Sequence, residues 1–552
     1  MDFSLDSPVS RRDLLKLGGV AAAAGITGSG LHLLEPTEAL AQTPKRGGTF
    51  RIRFHLAPVH FDPQQTVAFS TMVPLSFTHS RLVKVKAGSS VKPGTTPIEA
   101  DLAESWTQPS DTTYVFKLRR GARWHPKPPV NGREVTAEDV KYSYERFLGP
   151  TNPNRGMLEQ VERIEAPDKY TVKFTLKEPF AWFLEALAST STWIIAREAV
   201  EQNGDLKKPE TCIGTGPWML ERYEPNLRLT WVRNPNYFLP GLPYADGVDM
   251  SIETDPASAL AGWLAGRYDF GPEYGMVVRR SDLATARQRK PGLQTQDYIV
   301  VFGGITWMHL DQEPFKDIRM RRALAMASNW KEVLETSTWS QGHGVPNPAM
   351  PAAFREWSIP IDQLPAEGRR LFEFDPREAR RLLAEVGYPN GFKTTVETTA
   401  GYGPDYMDAV EVQLQSWKKA GIEAELKMKE YGAFISTALF GKFDKMAAGL
   451  FGIWADPDSY LYRYFMAGQP LNASGVNDPR LADMIRLQRR TFNVAKRREI
   501  IYEIQRYVAQ QAYALYGPSV SAVAAWEPYV RNFGPNIGHD YGGRLMVAWL
   551  DR

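Results

Sequence analysis

Residues 408–428 read DAVEVQLQSWKKAGIEAELKM, and this stretch decides the fold class. Its first part, 408–420, has apolar residues at helical spacing and stops at Gly421, which predicts an amphipathic helix ended by a glycine. The part after the glycine, 423–428, alternates polar and apolar residues and predicts a strand. A helix that leads directly into a strand is typical of a βαβ unit, so the predicted class is α/β with a parallel sheet.

The sequence on either side of this stretch also predicts helices and strands. Thr136 followed by Glu138 and Asp139 predicts a helix start, because a threonine cap and acidic residues stabilise the first turn. A chain of 552 residues is too long for one hydrophobic core, so two or more domains are expected. Further predicted helices cover 317–327, 375–386 and 495–511, and further predicted strands cover 47–54, 114–118 and 170–176.

Charge and cysteine content exclude several classes of protein. The formal net charge is +3 and the basic residues are scattered; the densest run, 496–498, predicts the solvated face of a helix. The sequence has no zinc-finger spacing, RNP-like motif or basic stripe, so no nucleic-acid partner is predicted. Cys212 is the only cysteine, which excludes an intramolecular disulfide and CxxC redox chemistry. Aromatic residues make up 12% of the chain, which fits either large cores or a cleft lined by flat rings.

The first forty residues have the features of an export signal. Arg11 and Arg12 are followed by Leu-Leu-Lys at 14–16, a pattern that resembles a twin-arginine signal, and a mild apolar stretch covers 17–34. The alternative is a transmembrane anchor. It is disfavoured because the apolar stretch contains five glycines and few large aliphatic residues.

A cleavage site follows the apolar stretch. Ala-Leu-Ala at 39–41, directly before Gln42, has the small-x-small pattern that signal peptidase recognises. We therefore predict a signal peptide at 1–41 that the twin-arginine translocation machinery reads and that is cleaved near Ala41–Gln42. No cysteine stands at the cleavage site after the stretch, so the predicted product is a freely soluble periplasmic protein without a lipid anchor.

Six short motifs follow one another along the rest of the chain. They are Leu-Ala-Glu-Ser-Trp at 102–106, the strand 114–118 with Arg-Gly-Ala-Arg-Trp-His at 120–125, Thr-Ala-Glu-Asp-Val at 136–140, Gly-Thr-Gly-Pro-Trp at 214–218, Arg-Asn-Pro-Asn-Tyr at 233–237, and Pro314-Phe315 with the helix 317–323. In this order they resemble the family 5 extracellular solute-binding proteins, which are receptors for peptides, nickel complexes and some sugars. The resemblance covers nearly the whole chain after the predicted signal.

The resemblance implies a two-lobed periplasmic binding protein of type II, in the large form of the peptide-binding proteins. It places lobe I at 42–301, with an extra subdomain at about 70–210, lobe II at 302–513, and a C-terminal return to lobe I at 514–552. Two crossing strands near 300–304 and 514–520 would form the hinge. Gly303 and Gly304 suit a segment that absorbs changes in backbone dihedral angles.

The resemblance also implies a function. The chain would capture an organic solute, a peptide or a peptide-like molecule, and deliver it to an ABC importer made of an inner-membrane permease and an ATPase. It would act as a monomer, without a cofactor and without catalysing a reaction. Most motif residues are expected to be scaffold, with Trp106, Tyr114 and Trp218 in the core. Gly214 and Gly216 are expected to adopt positive φ angles, which glycine reaches without strain.

The loop 451–461 is the strongest candidate for ligand contact. In the peptide receptors of the family, a tryptophan-rich loop here stacks on the ligand, and an aspartate three residues after the tryptophan pairs with the peptide's α-ammonium. Trp454 is the matching aromatic residue, but Asp456 follows it by two residues and directly precedes Pro457. Asp456 is therefore either an ammonium partner or an Asp-Pro turn residue.

Five other aromatic residues are candidate ligand contacts. Tyr402 and Tyr406 lie in and after a Gly-Tyr-Gly-Pro loop before a helix N-terminus, where ligands often meet backbone N–H groups. Phe61 and Phe69 lie in or just after the loop that follows the first strand, which the resemblance places in the pocket. Trp307 follows the predicted hinge. Core packing is the alternative role for each of them.

Three other functions find less support. A secreted hydrolase would show a nucleophile elbow, an HExxH or Ser-x-x-Lys motif or an acid pair, and none is present. A redox protein exported by the twin-arginine route would show an Fe–S, haem or dinucleotide fingerprint, and none is present. A receptor for a chelated metal such as nickel, or for an oligosaccharide, stays open. No protein metal site is predicted, because the histidines after the signal are dispersed: His55, His60, His79, His125, His309, His343 and His539.

Overall fold

The computed structural model describes residues 43–347, 349–450 and 456–552, with the backbone alone for 301 and 302. The predicted signal peptide at 1–41 lies outside the described residues. The α-helices are α1 (Phe69–Leu75), α2 (Ala137–Phe147), α3 (Phe183–Leu187), α4 (Arg197–Asn203), α5 (Pro256–Leu264), α6 (Leu283–Arg289), α7 (Ile318–Ala327), α8 (Trp330–Thr336), α9 (Ala366–Arg370), α10 (Pro376–Glu385), α11 (Pro404–Lys419), α12 (Tyr431–Thr437), α13 (Pro457–Phe465), α14 (Pro479–Arg490), α15 (Val494–Gln511) and α16 (Tyr541–Met546). The strands are β1 (Thr49–Phe54), β2 (Val83–Val85), β3 (Ile98–Ala100), β4 (Ala103–Ser110), β5 (Thr113–Leu118), β6 (Val161–Asp168), β7 (Thr171–Leu176), β8 (Trp218–Glu224), β9 (Arg228–Arg233), β10 (Gly247–Ile252), β11 (Val277–Val278), β12 (Gln294–Met308), β13 (Gly344–Val345), β14 (Phe392–Thr398), β15 (Ile422–Met428), β16 (Met446–Leu450), β17 (Leu515–Trp526), β18 (Val530–Arg531) and β19 (Trp549–Leu550).

The strands form one large mixed sheet and two four-stranded sheets. The large sheet has the order β11-β17-β12-β16-β14-β15, with β13 paired to β17. The four-stranded sheets have the orders β1-β10-β9-β8 and β4-β5-β7-β6, and β2-β3 and β18-β19 form short pairs. Helices alternate with these strands along much of the chain, so the predicted α/β class is confirmed.

The βαβ unit predicted from 408–428 lies in the large sheet. β14 and β15 run parallel, and α11 connects them. α11 begins at Pro404, earlier than predicted, because Gly403 caps it at φ +94° and proline suits the first helical position. β14–β16 and β1–β10 are also parallel, but the long strands β12 and β17 pair antiparallel. The prediction of a parallel sheet is therefore right for these pairs and wrong for the centre of the large sheet.

β12 and β17 contain the two segments predicted to form the hinge. They pair antiparallel over most of their length, with shifts in register on both sides of Gly303. A Cβ atom on Gly517 would lie 2.9 Å from the carbonyl oxygen of Gly304, so the two backbones approach where only glycine fits. The limits of the predicted lobes and of the extra subdomain stay predictions.

The glycines of the motif at 214–218 have a different role from the predicted one, since neither has a positive φ. An added Cβ atom would lie 1.9 Å from the carbonyl oxygen of Thr78 at Gly214, and 2.5 Å from the carbonyl carbon of Thr78 at Gly216. His125, which belongs to another motif, donates its backbone N–H to the carbonyl oxygen of Gly214 at 2.9 Å. Close backbone packing, and not left-handed geometry, requires glycine at both positions.

Aromatic residues of the motifs are largely buried, and so is one arginine of α15. Trp218 and Tyr114 are buried and Trp106 is half-buried. Arg497 of α15 is only 6% exposed and lies 4.1 Å from the ring centroid of Trp182. The prediction of a solvated face at 496–498 is therefore wrong at its middle residue, because the guanidinium exchanges hydration for a cation–π contact.

Across the described residues, we find no helix that combines the length and the apolar character needed to cross a membrane.

Candidate ligand-binding site

A cavity of about 230 Å³ lies beside the paired strands β12 and β17. Residues that are far apart in sequence meet at its wall. The lining comes from the end of β1, from 67–69, from 273–280, from 338–341, from the start of α11, from α12 and from 520–523 of β17. A preformed concave site with mainly apolar walls and a few polar groups is typical of a small-molecule site.

Four rings form one side of the cavity. Phe69 lies 4.8 Å from Tyr274 and stacks on His55, with ring centroids 5.6 Å apart. The Tyr274 hydroxyl and Nδ1 of His539 lie 2.6 Å apart and share a hydrogen bond. Burial lowers the pKa of His55 to about 3 and that of His539 to about 4, so both imidazoles are neutral at neutral pH.

A second group of rings faces the cavity from the turn after α8, from the turn before α11, and from α11 and α12. Tyr402 lies 5.3 Å from Tyr406, and Tyr406 lies 5.6 Å from Trp339, both in edge-to-face contact. Tyr431 at the start of α12 lies 5.7 Å from Phe69 and so connects the two groups. Edge-to-face packing fixes the orientation of these rings and leaves their remaining faces for a ligand.

A series of ion pairs runs along the wall between the two groups of rings. Arg53 lies 3.8 Å from Glu273, and Glu273 lies 3.6 Å from Arg279. Arg279 then lies 2.8 Å from Asp405 in the first turn of α11. Burial raises the pKa of both acids, although the arginines oppose this shift. Arg280 pairs outward with Asp297, whose side chain is 61% exposed.

The structure brings together three of the predicted contact residues. Tyr402, Tyr406 and Phe69 line the cavity. Phe61 and Trp307 do not line it: Phe61 packs on Tyr223 at 5.2 Å, and Trp307 is buried on β12. Both make packing contacts in this structure, and their predicted role in ligand contact stays a prediction. Trp454 lies outside the described residues.

Asp456 lies outside the cavity, at the start of α13. Its Oδ1 accepts a hydrogen bond from the backbone N–H of Ser459 at 2.7 Å, and the side chain is only 2% exposed. The structure thus places it in the turn-and-cap role and not beside the aromatic rings. Burial, with the nearby charge of Asp458, raises the pKa of Asp456 to about 8.

Replacing Asp456 with asparagine should flatten the pH dependence of stability. The folded protein keeps this carboxyl protonated up to about pH 8, whereas in the unfolded chain it ionises near 3.8. Folding therefore binds a proton in this window, and wild-type stability falls by up to about 1.4 kcal/mol per pH unit as the pH rises. Asparagine caps equally well without the charge, so the variant should be more stable than wild type near pH 8 and similar near pH 4 by chemical denaturation.

Asp478 provides the matched control because it caps α14 in the same way. Its Oδ1 accepts from the backbone N–H of Leu481 at 3.0 Å. Burial alone would raise its pKa, but hydrogen bonds from Tyr513 and Tyr507 hold the pKa below its ordinary value. Asp478→Asn should therefore destabilise the protein near pH 7, with a loss that shrinks as the pH falls. Identical pH profiles for the two variants would contradict this account.

Sequence reasoning missed several residues of the cavity wall. Tyr274 lies in a Gly-Pro-Glu-Tyr-Gly turn at 271–275, and this turn signal alone could have suggested an irregular, site-forming segment. Trp339 and Tyr431 have no local signal that separates them from core residues. His539 lies in the segment predicted to return to lobe I, and only the folded chain shows that it meets Tyr274.

The family model described as Bacterial extracellular solute-binding proteins, family 5 Middle, matches residues 97–471. The chain belongs to this family. This solute-binding protein is 29% identical over 484 residues to Di/tripeptide-binding protein 3 of Pseudomonas aeruginosa strain UCBPP-PA14, a match that covers 82% of this chain and 86% of the relative. It is 28% identical over 435 residues to Heme-binding protein A of Haemophilus influenzae, which covers 73% of this chain and 74% of the relative.

Two solved structures resemble this solute-binding protein over nearly their whole length. One is the ABC transporter-associated periplasmic binding protein DppA from Helicobacter pylori in complex with the peptide STSA, with a TM-score of 0.79, 23% identity, and coverage of 92% of this chain and 99% of that chain. The other is AgaA from A. tumefaciens R10 in complex with agropinic acid, with the same TM-score, identity and coverage. These similarities confirm the predicted fold, that of a two-lobed periplasmic binding protein.

Proposed function

We propose that the chain is a periplasmic receptor that captures an organic solute, a peptide or a peptide-like molecule, and delivers it unchanged to an ABC importer. The observation that carries the proposal is the cavity of about 230 Å³ lined by six tyrosine, phenylalanine and tryptophan side chains: Phe69, Tyr274, Trp339, Tyr402, Tyr406 and Tyr431. Such a lining suits the binding of an organic molecule. The family consists of solute-binding proteins, and several relatives are named for di- and tripeptides.

The proposed partners follow from this role and from the N-terminal sequence. An inner-membrane permease and ATPase complex would receive the solute, as the description of the Helicobacter pylori protein as ABC transporter-associated suggests. Arg11 and Arg12 support export by the twin-arginine machinery, with cleavage near Ala41–Gln42. The mature receptor would work as a monomer, since one chain supplies all of the described lining of the cavity.

Capture would involve closure of the proposed lobes at 42–301 and 302–513. In this division Arg279 belongs to lobe I and Asp405 to lobe II, so their ion pair would join the lobes at the cavity wall. β12 and β17 would be the hinge, with their register shifts around Gly303 as the point where dihedral angles change.

No catalytic step is part of the proposal. The two histidines on the wall are neutral and are held by other rings, His55 by stacking on Phe69 and His539 by its hydrogen bond to Tyr274. Among the described residues, no group of three or more histidine, cysteine or acidic side chains is arranged to hold a metal ion. We therefore assign the cavity to binding.

The solute that co-purifies with the protein should raise the melting temperature of the protein. The protein should in turn leave the solute chemically unchanged. Re-addition at about 100 times its dissociation constant should stabilise the protein by about 2.7 kcal/mol, because only the folded state binds. Mass spectrometry after prolonged incubation should recover the solute at its original mass, and cells that lack the protein should take up less of the isotope-labelled solute than wild-type cells. A chemically altered product, or unchanged uptake, would contradict the proposed function.

A further inference from the structure

The cavity wall also indicates the charge of the solute. We propose that the solute is an organic anion, with an aromatic or apolar body, one carboxylate or similar acidic group, and no free ammonium group. This inference rests on the proposed function, since it concerns the ligand of the same cavity. It is carried by the balance of charges on the wall, by the ion pairs that already hold each acid, and by an arginine that lines the cavity.

Arginines outnumber acids on the described part of the wall. The charged side chains of the lining are Arg53, Arg279 and Arg280 against Glu273 and Asp405. His55 and His539 add no charge at neutral pH, because burial keeps them neutral. Asp297, the partner of Arg280, is 61% exposed and does not line the cavity, and an exposed ion pair is weak, so Arg280 stays available to a ligand. The wall therefore has an excess of positive charge.

Both acids of the wall are already neutralised by protein groups. Glu273 lies within 3.8 Å of two arginines, Arg53 and Arg279. Asp405 pairs with Arg279 at 2.8 Å and also lies in the first turn of α11, where the positive end of the helix stabilises it. An ammonium group that enters the cavity would compete with a guanidinium for each carboxylate and would gain little from either.

Among the described residues, no acid other than Glu273 and Asp405 lines the cavity. Asp456 was the candidate from the sequence, but it caps α13 outside the described lining. Leu450 lines the cavity, and residues 451–455 that follow it read FGIWA, without an ionisable side chain. Glu273 and Asp405 are therefore the acids of the described lining.

Arg280 keeps a donor for an acidic group. Its Nη2 contacts Asp297 and the hydroxyl of Ser521. Arg280 lines the cavity and its side chain is 19% exposed, so a ligand carboxylate would form a charge-assisted bond with the accessible part of the guanidinium. The rings of Tyr274 and Trp339 line the same cavity and would cover the body of such a ligand.

Three forms of one dipeptide test the inference with the body of the ligand held constant. N-acetyl-Leu-Phe is an anion, Leu-Phe a zwitterion and Leu-Phe-amide a cation. By calorimetry on the full mature chain freed of co-purified solute, we expect the acetylated form to bind at least about 10-fold more tightly than Leu-Phe, and the amide to bind most weakly. Arg280→Gln should weaken the acetylated form by about 10-fold, whereas Arg486→Gln, on the exposed side of α14, should leave it unchanged.

The outcomes separate the inference from the proposed function. Binding of Leu-Phe as tight as or tighter than that of the acetylated form would overturn the inference and leave the receptor function intact. The inference would also be overturned if the acetylated form did not bind at about 1 mM and a co-purified solute carried an ammonium group. Absence of binding by all three forms, together with absence of any co-purified solute, would contradict the receptor function itself. An unchanged affinity in Arg280→Gln would remove Arg280 from the anion site.

Discussion

Replacing Arg489 with methionine should lower the free energy of unfolding by about 3–5 kcal/mol, because it leaves a buried carboxylate without its charge partner. Arg489 is 2% exposed, and its Nε lies 3.1 Å from Oδ2 of Asp458, which is 3% exposed. The guanidinium also lies 3.7 Å from the ring centroid of Tyr462 and 4.4 Å from that of Phe180. Methionine keeps most of the apolar contact but cannot neutralise Asp458.

The neighbouring arginine is the matched control for this substitution. Arg490 pairs with Glu178 on the surface, and its side chain is 49% exposed. Arg490→Met should cost less than about 1 kcal/mol, because solvent screens an exposed pair. The double variant Arg489→Met with Asp458→Asn should regain part of the stability, since it removes the uncompensated charge. Equal losses in the two single variants by chemical denaturation would show that the buried pair is not a determinant of stability.

The fold class and many elements follow from local sequence, because the patterns that predict them act over a few residues. Thr136 caps α2 in a capping box with Asp139, and Asp375 caps α10, both where the sequence places a helix start. The antiparallel pairing of β12 with β17 was not predictable in this way. It joins segments about two hundred residues apart, and strand direction depends on the path of everything between them.

The role of the motif glycines also could not be predicted from local sequence. A glycine indicates only that the position does not tolerate a Cβ atom. Whether the cause is a positive φ or a close neighbour depends on the tertiary structure, and for Gly214 the neighbour is the carbonyl group of Thr78. The prediction that this position requires glycine for its backbone geometry was therefore wrong about the cause, which is close packing and not a positive φ angle.

Only those residues of the candidate site that have a local sequence signal could be predicted. Tyr402 and Tyr406 were identifiable because they lie beside a Gly-Pro helix start, a feature that the sequence displays directly. Tyr274 and Trp339 become site residues only through the cavity that they form with segments far away in the chain. The sequence shows Asp456 only as an Asp-Pro pair, whereas its burial and its hydrogen bond to Ser459 depend on the folded chain.

Replacing Ala522 with tryptophan should weaken solute binding by at least about 100-fold, equivalent to about 2.7 kcal/mol. Ala522 is a half-buried residue of β17 that lines the cavity and packs near Val300 and Trp339. The large ring would occupy the space that we assign to the solute. Because the cavity has room for the ring, the cost of overpacking should stay at the low end of the usual 1–3 kcal/mol, and the variant should fold.

Ala384 provides the control for the added tryptophan. It is exposed on α10, whose residues do not line the cavity. Ala384→Trp should fold and bind like the wild type, so any effect of Ala522→Trp can be assigned to the place of the ring and not to its presence. Circular dichroism and melting temperature would establish that both variants are folded before binding is compared.

The most direct test of the central claim is the amount of solute that these proteins carry when they are isolated from the periplasm of cells that export them. Each protein would be denatured, and the released small molecules quantified by mass spectrometry. We predict about one molar equivalent of an organic solute from the wild type and from Ala384→Trp, and less than about one tenth of that amount from Ala522→Trp. Equal amounts from all three proteins would contradict the claim that this cavity is the binding site.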